Sequence, residues 1–312
     1  MPLYLGIDTS NYTTSAAVYD SGGRILRHAR RLLEVREGER GLRQSETLFQ
    51  HTRALPSVLE QVCSAVPPPY RAVGASARPR DIQGSYMPCF LAGVSAAEAA
   101  ARAAGIRCFH FSHQSGHVAA ALYSAQRLDL IEQKFIAFHV SGGTTEALMV
   151  SPDPERVFLC RKLAGTLDLN AGQVIDRVGV MMGLRFPCGA ELERLALQSE
   201  RHAGTRPSIR GCDCSLSGVE NQCRDRFVRG ESREDVARFC IESVRAALDR
   251  MAENLLREYG EHELVFSGGV MSNTIIRSAF TQKYGACFAE PEFSCDNAAG
   301  IAILTSLKTE RE

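Results

Sequence analysis

One order of predicted strands and helices occurs twice along the chain, and this repetition most constrains its fold. Apolar, β-rich runs at Leu3–Asp8, Thr13–Asp20 and Arg24–Leu33 are separated by polar or glycine turns, which predicts an antiparallel meander. Helical and strand patterns then alternate up to a helix that begins near His113 and ends near Gln126. The first half therefore reads strand, strand, strand, helix, strand, helix, strand, helix.

The second half repeats this order with one interruption. Its first three strands are predicted at Phe135–Ser141, Glu146–Val150 and Val157–Leu163, and a helix follows over Asn170–Gly183. Residues 184–231, rich in Arg, Gly and Ser, interrupt the copy and are predicted to be an insertion. The order resembles the duplicated α/β lobes of the actin-like (ASKHA, ribonuclease-H-like) superfamily, which implies lobes at residues 1–130 and 131–312 with nucleotide in a cleft between them.

Composition limits the classes of function. The chain has 312 residues, 45% hydrophobic and 23% charged, which is typical of a soluble globular protein. Because the formal net charge is zero, contact with RNA would require a local basic patch or a partner subunit. The N-terminus lacks a signal-peptide pattern and no apolar run approaches the roughly 20 residues of a membrane span, so we expect a cytoplasmic protein. Eleven cysteines without a repeating frame predict reduced thiols packed as small apolar residues.

Two histidines form the first candidate site. His113 and His117 are four apart on a predicted helix, so both imidazoles can point at one metal ion such as zinc or iron. Gln114 stands where a zinc metalloprotease of the HExxH type has its glutamate, so that class is disfavoured. Taken alone, such a pair is more often part of a protein core. Asp8, at the end of the first strand, either faces a cleft or caps the following turn.

Glycine turns and acidic residues supply further candidates. The turn Ser141–Thr144 lies between two strands, where glycine backbone can hold a phosphate or simply close a hairpin. Asp176 continues a helix face, where it can accept ribose hydroxyls or remain an exposed charge. A second Gly-Gly pair, Gly268-Gly269, follows an apolar strand, and Asp296 stands at a helix start, the usual position of an N-cap.

Together these segments resemble the TsaD/Gcp family, the tRNA threonylcarbamoyltransferases once described as O-sialoglycoprotein endopeptidases. The matching motifs are, in chain order, Leu5-Gly-Ile-Asp-Thr-Ser10, His113-x-x-x-His117, Val140-Ser-Gly-Gly143, Ala171-Gly-x-x-x-Asp176, Pro187-x-Gly189, Ser215-x-Ser-Gly218, Gly268-Gly-Val-x-x-Asn273 and Asp296-Asn-Ala-Ala299. The resemblance extends over nearly the whole chain.

The resemblance implies a metal site and an adenylate-binding site. The metal would be held by His113, His117 and Asp296, with His139 where archaeal relatives have a metal-reaching tyrosine. Imidazole ligands favour iron or zinc, and magnesium is a third candidate. The adenylate part of threonylcarbamoyl-AMP, or ATP or ADP, would contact Val140, Ser141, Gly142, Gly143, Thr144, Asp176, Gly189 and Asn273.

The implied reaction transfers threonylcarbamoyl from its AMP adduct to the N6 amine of an adenosine next to the tRNA anticodon. The metal would act as a Lewis acid on the acyl group, and no protein nucleophile is required. Implied partners are tRNA, reached through a complex, a TsaB-like paralogous subunit and a TsaE-like ATPase.

Several residues depart from the family pattern on the acceptor side. Residues 11–14 lack the family's acidic pair, Thr144 and Gln173 replace His or Asn and Glu, and Pro79-Arg80-Asp81 replaces a Pro-Gly-Leu loop. A divergent paralogue that carbamoylates another acceptor and a non-catalytic nucleotide-binding partner of a genuine family member therefore remain alternatives. A peptidase ranks last, because neither an HExxH glutamate nor a nucleophile–base pair is evident.

Overall fold

The computed structural model of the chain describes residues 1–10, 12–35, 42–201, 206–290, 293 and 298–312. Its contacts divide the chain into two compact units. The first comprises Met1–Gln133, Ser151–Cys160 and Cys295–Glu312, and the second comprises Lys134–Val150 and Arg161–Ser294.

The first unit is built on a five-stranded mixed sheet. Its elements are β1 (Leu3–Ser10), β2 (Thr13–Asp20), β3 (Ile25–Leu32), α1 (Gln44–Cys63), β4 (Ala72–Arg78), α2 (Phe90–Ala104), β5 (Arg107–Ser112) and α3 (His113–Ser124). The strand order is β3-β2-β1-β4-β5, with β1 antiparallel to β2 and parallel to β4. The predicted order of elements is confirmed, including the strand that leads directly into the helix of the two histidines.

The second unit repeats that arrangement. The strands of this second sheet and the helices between them are β6 (Phe135–Val140), β7 (Thr145–Asp153), β8 (Val157–Gly165), α4 (Ala171–Met181), α7 (Arg233–Tyr259), β11 (Leu264–Ser267), α8 (Thr274–Tyr284) and β12 (Cys287–Phe288). The end of β7 and the start of β8 fall within Ser151–Cys160, which is counted with the first unit. The strand order β12-β11-β6-β7-β8 is the first sheet's order read from the other end, with β6 parallel to β11 and antiparallel to β7. The predicted duplicated α/β architecture is therefore confirmed.

The interruption of the second copy folds against that copy. It contains α5 (Gly189–Ala196), a two-stranded ribbon of β9 (Ser208–Arg210) and β10 (Asp213–Ser215), and α6 (Ser217–Val228). Helices α5 and α6 both pack on α7, and Leu192, Leu216 and Cys223 are fully buried in the second unit's core. The insertion is therefore part of the unit that carries it.

Aromatic side chains on neighbouring strands form the centre of the second core. Phe266 of β11 is in register with Phe138 of β6 and Phe288 of β12, and its ring stacks on both, with centroids 4.7 and 5.3 Å apart. The ring of Phe280 from α8 meets Phe266 edge-on at 4.9 Å. Such contacts stabilise beyond area burial and fix the register of the central strands.

The C-terminal helix α9 (Ala298–Arg311) packs on the first unit's sheet, against β1, β2 and β4. A Cβ atom at Gly6 of β1 would lie 2.4 Å from the Ala298 carbonyl oxygen, so only glycine permits this approach. The lobe boundary near residue 130 was predicted from chain order and stays a prediction. An apolar helix pattern does not reveal which sheet it covers, so the return of α9 to the first unit could not be read from it.

None of the helices in the described ranges combines the length and the apolar character that crossing a membrane requires. The ten cysteines in those ranges are free thiols, and six of them are buried, as predicted for cysteines that pack as small apolar residues.

Candidate active site

The helix of the two histidines is anchored at its N-terminus by a buried acid. Ser112 caps α3 by accepting the Ser115 backbone N–H at 3.0 Å. The hydroxyls of Ser112 and Ser115 both donate to Asp81, at 2.9 and 2.7 Å, and Arg78 pairs with the same carboxylate at 2.7 Å. This network holds the first turn of α3 in place and thereby sets the direction of the His113 side chain.

The imidazole rings of His113 and His117 meet edge to face across that turn. Their ring centroids are 4.7 Å apart at an interplanar angle of 70°. The Nδ1 atom of His113 lies 3.3 Å from Oδ1 of Asp8. A carboxylate on Nδ1 sets the tautomer and ring orientation that present Nε2 to a metal, an arrangement common among metal-binding histidines. The imidazole nitrogens of His113 and His117 are ligands that fit a zinc or iron ion.

Asp8 is held ionised by its neighbours. Burial by itself opposes ionisation of this carboxyl, which is 1% exposed. The electrostatic interaction with His113 and hydrogen bonds from His113, Ser76 and Ser10 outweigh that effect and keep the pKa of Asp8 below its ordinary value. Asp8 therefore acts both as a partner of the histidine and, through the Ser10 hydroxyl at 2.7 Å, as a stabiliser of the turn after β1.

The third predicted metal ligand, Asp296, lies outside the described residues, as does Asn11 of the divergent first turn. The helix that follows Asp296 is described, and it packs closely on α3. A Cβ atom at Gly300 would lie 1.9 Å from the Gly116 carbonyl oxygen, so the two helices approach through their glycines. This contact involves the turn that carries both histidines.

His139 belongs to the second unit, at the end of β6. The Ser267 hydroxyl donates to the Phe138 carbonyl at 3.2 Å and lies 3.0 Å from Nδ1 of His139. When the hydroxyl gives its single proton to the carbonyl, Nδ1 is the donor in the second contact and the imidazole lone pair is on Nε2, the nitrogen that could bind a metal.

Four of the predicted adenylate residues line one cavity of about 340 Å³ in the second unit: Gly142, Asp176, Gly189 and Asn273. They come from four separate segments of the chain. The volume lies within the roughly 300–1,000 Å³ usual for small-molecule sites. The remaining lining residues are Gly172, Ile175, Pro187, Ala190, Glu193, Gly269, Val270 and Ser272.

The glycines around this cavity fall into two groups. At Gly172 and Gly268 a Cβ atom would come within 2.7 Å of the Gly142 backbone and within 2.3 Å of the Val140 carbonyl oxygen, so packing demands glycine. At Gly142, Gly189 and Gly269 a Cβ atom would meet no described atom within 4 Å. The fold does not explain these open glycines, whereas a ligand lying close to their backbone would.

The Ser141–Thr144 turn is closed by its own hydrogen bonds. The Ser141 N–H donates to the Thr144 carbonyl at 2.7 Å, and the Thr144 N–H donates to Oγ of Ser141 at 3.2 Å. Val140 is fully buried beneath it, and Gly143 has open space at its Cα. The start of α4 packs on the turn, since the Gly172 N–H donates to the Ser141 carbonyl at 3.2 Å.

Asp176 fixes the loop on the other side of the cavity. Its Oδ1 accepts the Cys188 backbone N–H at 2.8 Å, which ties α4 to the Pro187-x-Gly189 segment. The other carboxylate oxygen can accept from a ligand. The side chain is partly buried, so the alternative of a freely exposed helix charge does not describe it.

A larger neighbouring cavity of about 700 Å³ shares Gly142 and Asp176 with the first and is also lined by Gln173 and the exposed Phe186. Gln173, where relatives have glutamate, completes the N-terminal capping box of α4 by accepting the Asn170 N–H at 3.0 Å.

The Ser215-x-Ser-Gly218 motif has a structural partner in Asp168. This carboxylate accepts the Leu216 and Ser217 backbone N–H groups, at 2.7 and 3.1 Å, and the Ser217 hydroxyl at 2.6 Å. Burial opposes ionisation, but these bonds outweigh it and lower the pKa of Asp168. The motif therefore attaches α6 to the segment before α4.

Two contributing residues were not singled out by the sequence. Asp81 appeared only as a departure in a loop, and no local pattern indicates that it bonds a helix more than 30 positions later. Glu193 accepts the Thr274 N–H and hydroxyl, at 2.6 and 2.5 Å, and so ties α5 to the start of α8 beside Asn273. An acidic residue in an amphipathic helix does not indicate which distant residue it will contact, so this contact could not be predicted from the sequence.

Comparison with solved structures gives the fold. The chain is similar to full-length HypF in a phosphate- and nucleotide-bound form (TM-score 0.62, 11% identity, covering 99% of this chain and 47% of HypF). It is also similar to component A of (R)-2-hydroxyglutaryl-CoA dehydratase from Acidaminococcus fermentans (TM-score 0.58, 14% identity, 99% and 100% coverage). A ROK hexokinase from Thermus thermophilus matches likewise (TM-score 0.56, 14% identity, 99% and 100% coverage). The predicted actin-like fold class is confirmed.

Comparison of sequences gives the family. The chain is 28% identical to a tRNA N6-adenosine threonylcarbamoyltransferase of Methanopyrus kandleri, over 96% of this chain and 85% of that relative. The model of the TsaD family, tRNA N6-adenosine threonylcarbamoyltransferase, matches residues 50–303, a range that includes the histidine pair, both Gly-Gly turns and Asp296. The chain therefore belongs to the TsaD family, whose members act as transferases on tRNA.

Proposed function

We propose that this protein transfers a threonylcarbamoyl group from threonylcarbamoyl-AMP to the N6 amine of an adenosine next to the anticodon of a tRNA. The observation that carries the proposal is the cavity in which Gly142, Asp176, Gly189 and Asn273 meet, in a chain of the TsaD family. Its open glycines fit a ligand that lies directly against backbone.

In the proposed complex the adenylate occupies this cavity. The phosphate lies against the Ser141–Thr144 turn, where the Gly142 and Gly143 N–H groups would stabilise the negative charge that grows as the bond between carbamoyl carbon and phosphate oxygen breaks. Asp176 keeps the Cys188 N–H on Oδ1 and accepts a ribose hydroxyl on Oδ2. Asn273, which also caps α8 by accepting the Ile276 N–H at 3.2 Å, borders the ligand from the opposite side.

The metal ligands in the proposal are His113, His117 and Asp296, with His139 as the fourth. An iron or zinc ion bound there would supply Lewis-acid polarisation of the carbamoyl carbonyl. Asp8 orients the His113 ring, and Ser267 orients His139. The N6 amine attacks the carbamoyl carbon directly, the new C–N bond replaces the bond from that carbon to the phosphate oxygen, AMP leaves with the electron pair and the amine proton passes to solvent, so no covalent protein intermediate is required.

The tRNA would be reached through a complex. Lys and Arg residues equal Asp and Glu residues at 36 each, so the chain alone supplies little long-range attraction for RNA. A TsaB-like paralogue and a TsaE-like ATPase are the proposed partners.

The acceptor is tested by supplying purified protein with tRNA and enzymatically made threonylcarbamoyl-AMP, alone and with the partner subunits. Digested tRNA is analysed by mass spectrometry for the modified adenosine. We expect product that is lost in the His113→Ala/His117→Ala double variant. If wild-type protein consumes the adenylate without modifying tRNA, even with partners present, the carbamoylation of another acceptor replaces this proposal.

A further inference from the structure

Three different metal-binding groups meet at the edge of the first sheet, apart from the histidine pair. Cys108 and His110 lie on edge strand β5 and, being two apart, project to the same face. Glu98 reaches them from α2, which packs against β5. Among the residues that the structure describes, the ligand atoms of this group lie within 4.8 Å of one another.

The distances match the edges of a tetrahedral coordination sphere. Nε2 of His110 lies 3.9 Å from Sγ of Cys108 and 3.2 Å from Oε1 of Glu98. With zinc bond lengths of about 2.3 Å to sulfur and about 2.0–2.2 Å to nitrogen and oxygen, tetrahedral edges are about 3.6 Å for S–N and about 3.4 Å for N–O. These two edges need adjustments of only a few tenths of an ångström, and the third, from Sγ of Cys108 to the Glu98 carboxylate, is within 4.8 Å, so side-chain rotation can bring all three groups onto one ion.

The carboxylate is already oriented by a second partner. Arg102, one turn along α2, donates to Oε2 of Glu98 at 3.1 Å, while Oε1 faces His110. An outer partner on the second oxygen is the usual arrangement for a carboxylate that binds metal through one oxygen.

Two of the three groups, the Cys108 thiol and the Glu98 carboxyl, can bind a cation as anions. A divalent cation would replace the thiol proton, which passes to solvent, and would neutralise the thiolate and the carboxylate together.

We propose that Glu98, Cys108 and His110 bind one zinc ion, with the fourth position open to water or a partner group. His110 is partly exposed, with 38% of its side-chain surface accessible, so the ion can enter from solvent. The bound ion would fasten α2 to β5, the strand that continues into the helix of His113 and His117. The site uses neither of those histidines and does not depend on the proposed transfer reaction.

Cobalt substitution separates this site from the histidine site, because the ligands proposed here include a thiolate and those proposed there do not. Chelator-treated full-length protein is titrated with Co²⁺, and the thiolate-to-cobalt charge-transfer band is followed in the near ultraviolet. We expect the band in wild-type protein and in the His113→Ala/His117→Ala variant, and its loss in Cys108→Ser. The Arg102→Gln variant should bind about 10–100-fold more weakly.

Cys212 is the matched control. It is likewise partly buried, and its thiol lies 3.3 Å from Oε2 of a glutamate, Glu258. Cys212→Ser must leave the band unchanged. In the His113→Ala/His117→Ala background, zinc should raise the melting temperature, and the further change Cys108→Ser should abolish that rise. No band in wild type, a band that survives Cys108→Ser, or one lost in Cys212→Ser would each overturn the proposal.

Discussion

In the Gly268-Gly269 turn, the first glycine is required for packing and the second is proposed to contact the ligand. Gly268 has a φ of +97°, and a Cβ atom there would lie 2.3 Å from the Val140 carbonyl oxygen, about 1 Å short of an ordinary contact. Backbone strain of about 1–3 kcal/mol and overpacking of about 1–3 kcal/mol give an expected loss of about 2–6 kcal/mol for Gly268→Ala. Gly269 has open space at its Cα and lines the cavity. Gly269→Ala should therefore change the free energy of unfolding by about 1 kcal/mol at most.

The assay combines urea unfolding followed by circular dichroism with calorimetric titration of AMP. We expect Gly268→Ala to unfold at a clearly lower urea concentration than wild type. Gly269→Ala should unfold close to wild type yet bind AMP at least about tenfold more weakly, a loss of about 1.4 kcal/mol, because its methyl group occupies ligand space. Equal stability of the two variants would refute the packing argument. Unchanged AMP binding by Gly269→Ala would refute the placement of the adenylate.

Three further predictions concern the supports of the site. Gly300→Ala should lower stability by about 1–3 kcal/mol, because its Cβ atom overlaps the Gly116 carbonyl; a melting temperature equal to wild type would contradict the close helix approach. Asp8→Asn should weaken metal binding about 10–100-fold at constant fold, measured by competition with a chelating dye, because Asp8 orients His113. Asp168 has a lowered pKa, so its contribution is present above its ordinary value of 3.8 and is lost as pH falls through the folded value. Asp168→Asn should therefore be less stable than wild type at neutral pH, with a difference that shrinks below about pH 4, and a constant difference would exclude this role.

The element order was predictable because it depends on local periodicity. The β-rich apolar runs of β1 and β2, the glycine turns between strands and the helical spacing of α1 are all properties of consecutive residues. Packing between distant segments was not predictable. The approach of α9 to β1 depends on the absence of a side chain at Gly6, and one glycine in a strand gives no indication of its partner.

In the candidate site, too, the local patterns were predictable from the sequence and the contacts between distant segments were not. The glycine turns and the spacing of His113 and His117 are local patterns, and they identified residues that the structure gathers around one cavity or on one helix face. The partners that orient these residues, Asp81 and Glu193, act across sequence separations for which a single sequence holds no signal. Asp8 stood between two interpretations, and its hydrogen bonds show that it bonds both the histidine and the turn.

The central claim is that this chain uses an adenylate-binding site and a histidine metal site to transfer threonylcarbamoyl to tRNA. Its most direct test is a reaction with threonylcarbamoyl-AMP carrying labelled threonine, with partner subunits present, in which label in tRNA and release of AMP are measured together. We predict equal amounts of labelled adenosine and AMP for wild type, neither above background for His113→Ala/His117→Ala, and both formed at least about tenfold more slowly by Gly269→Ala when the adenylate is below saturation. Label transferred at the wild-type rate by both variants, or AMP released with no label in tRNA, would contradict the claim.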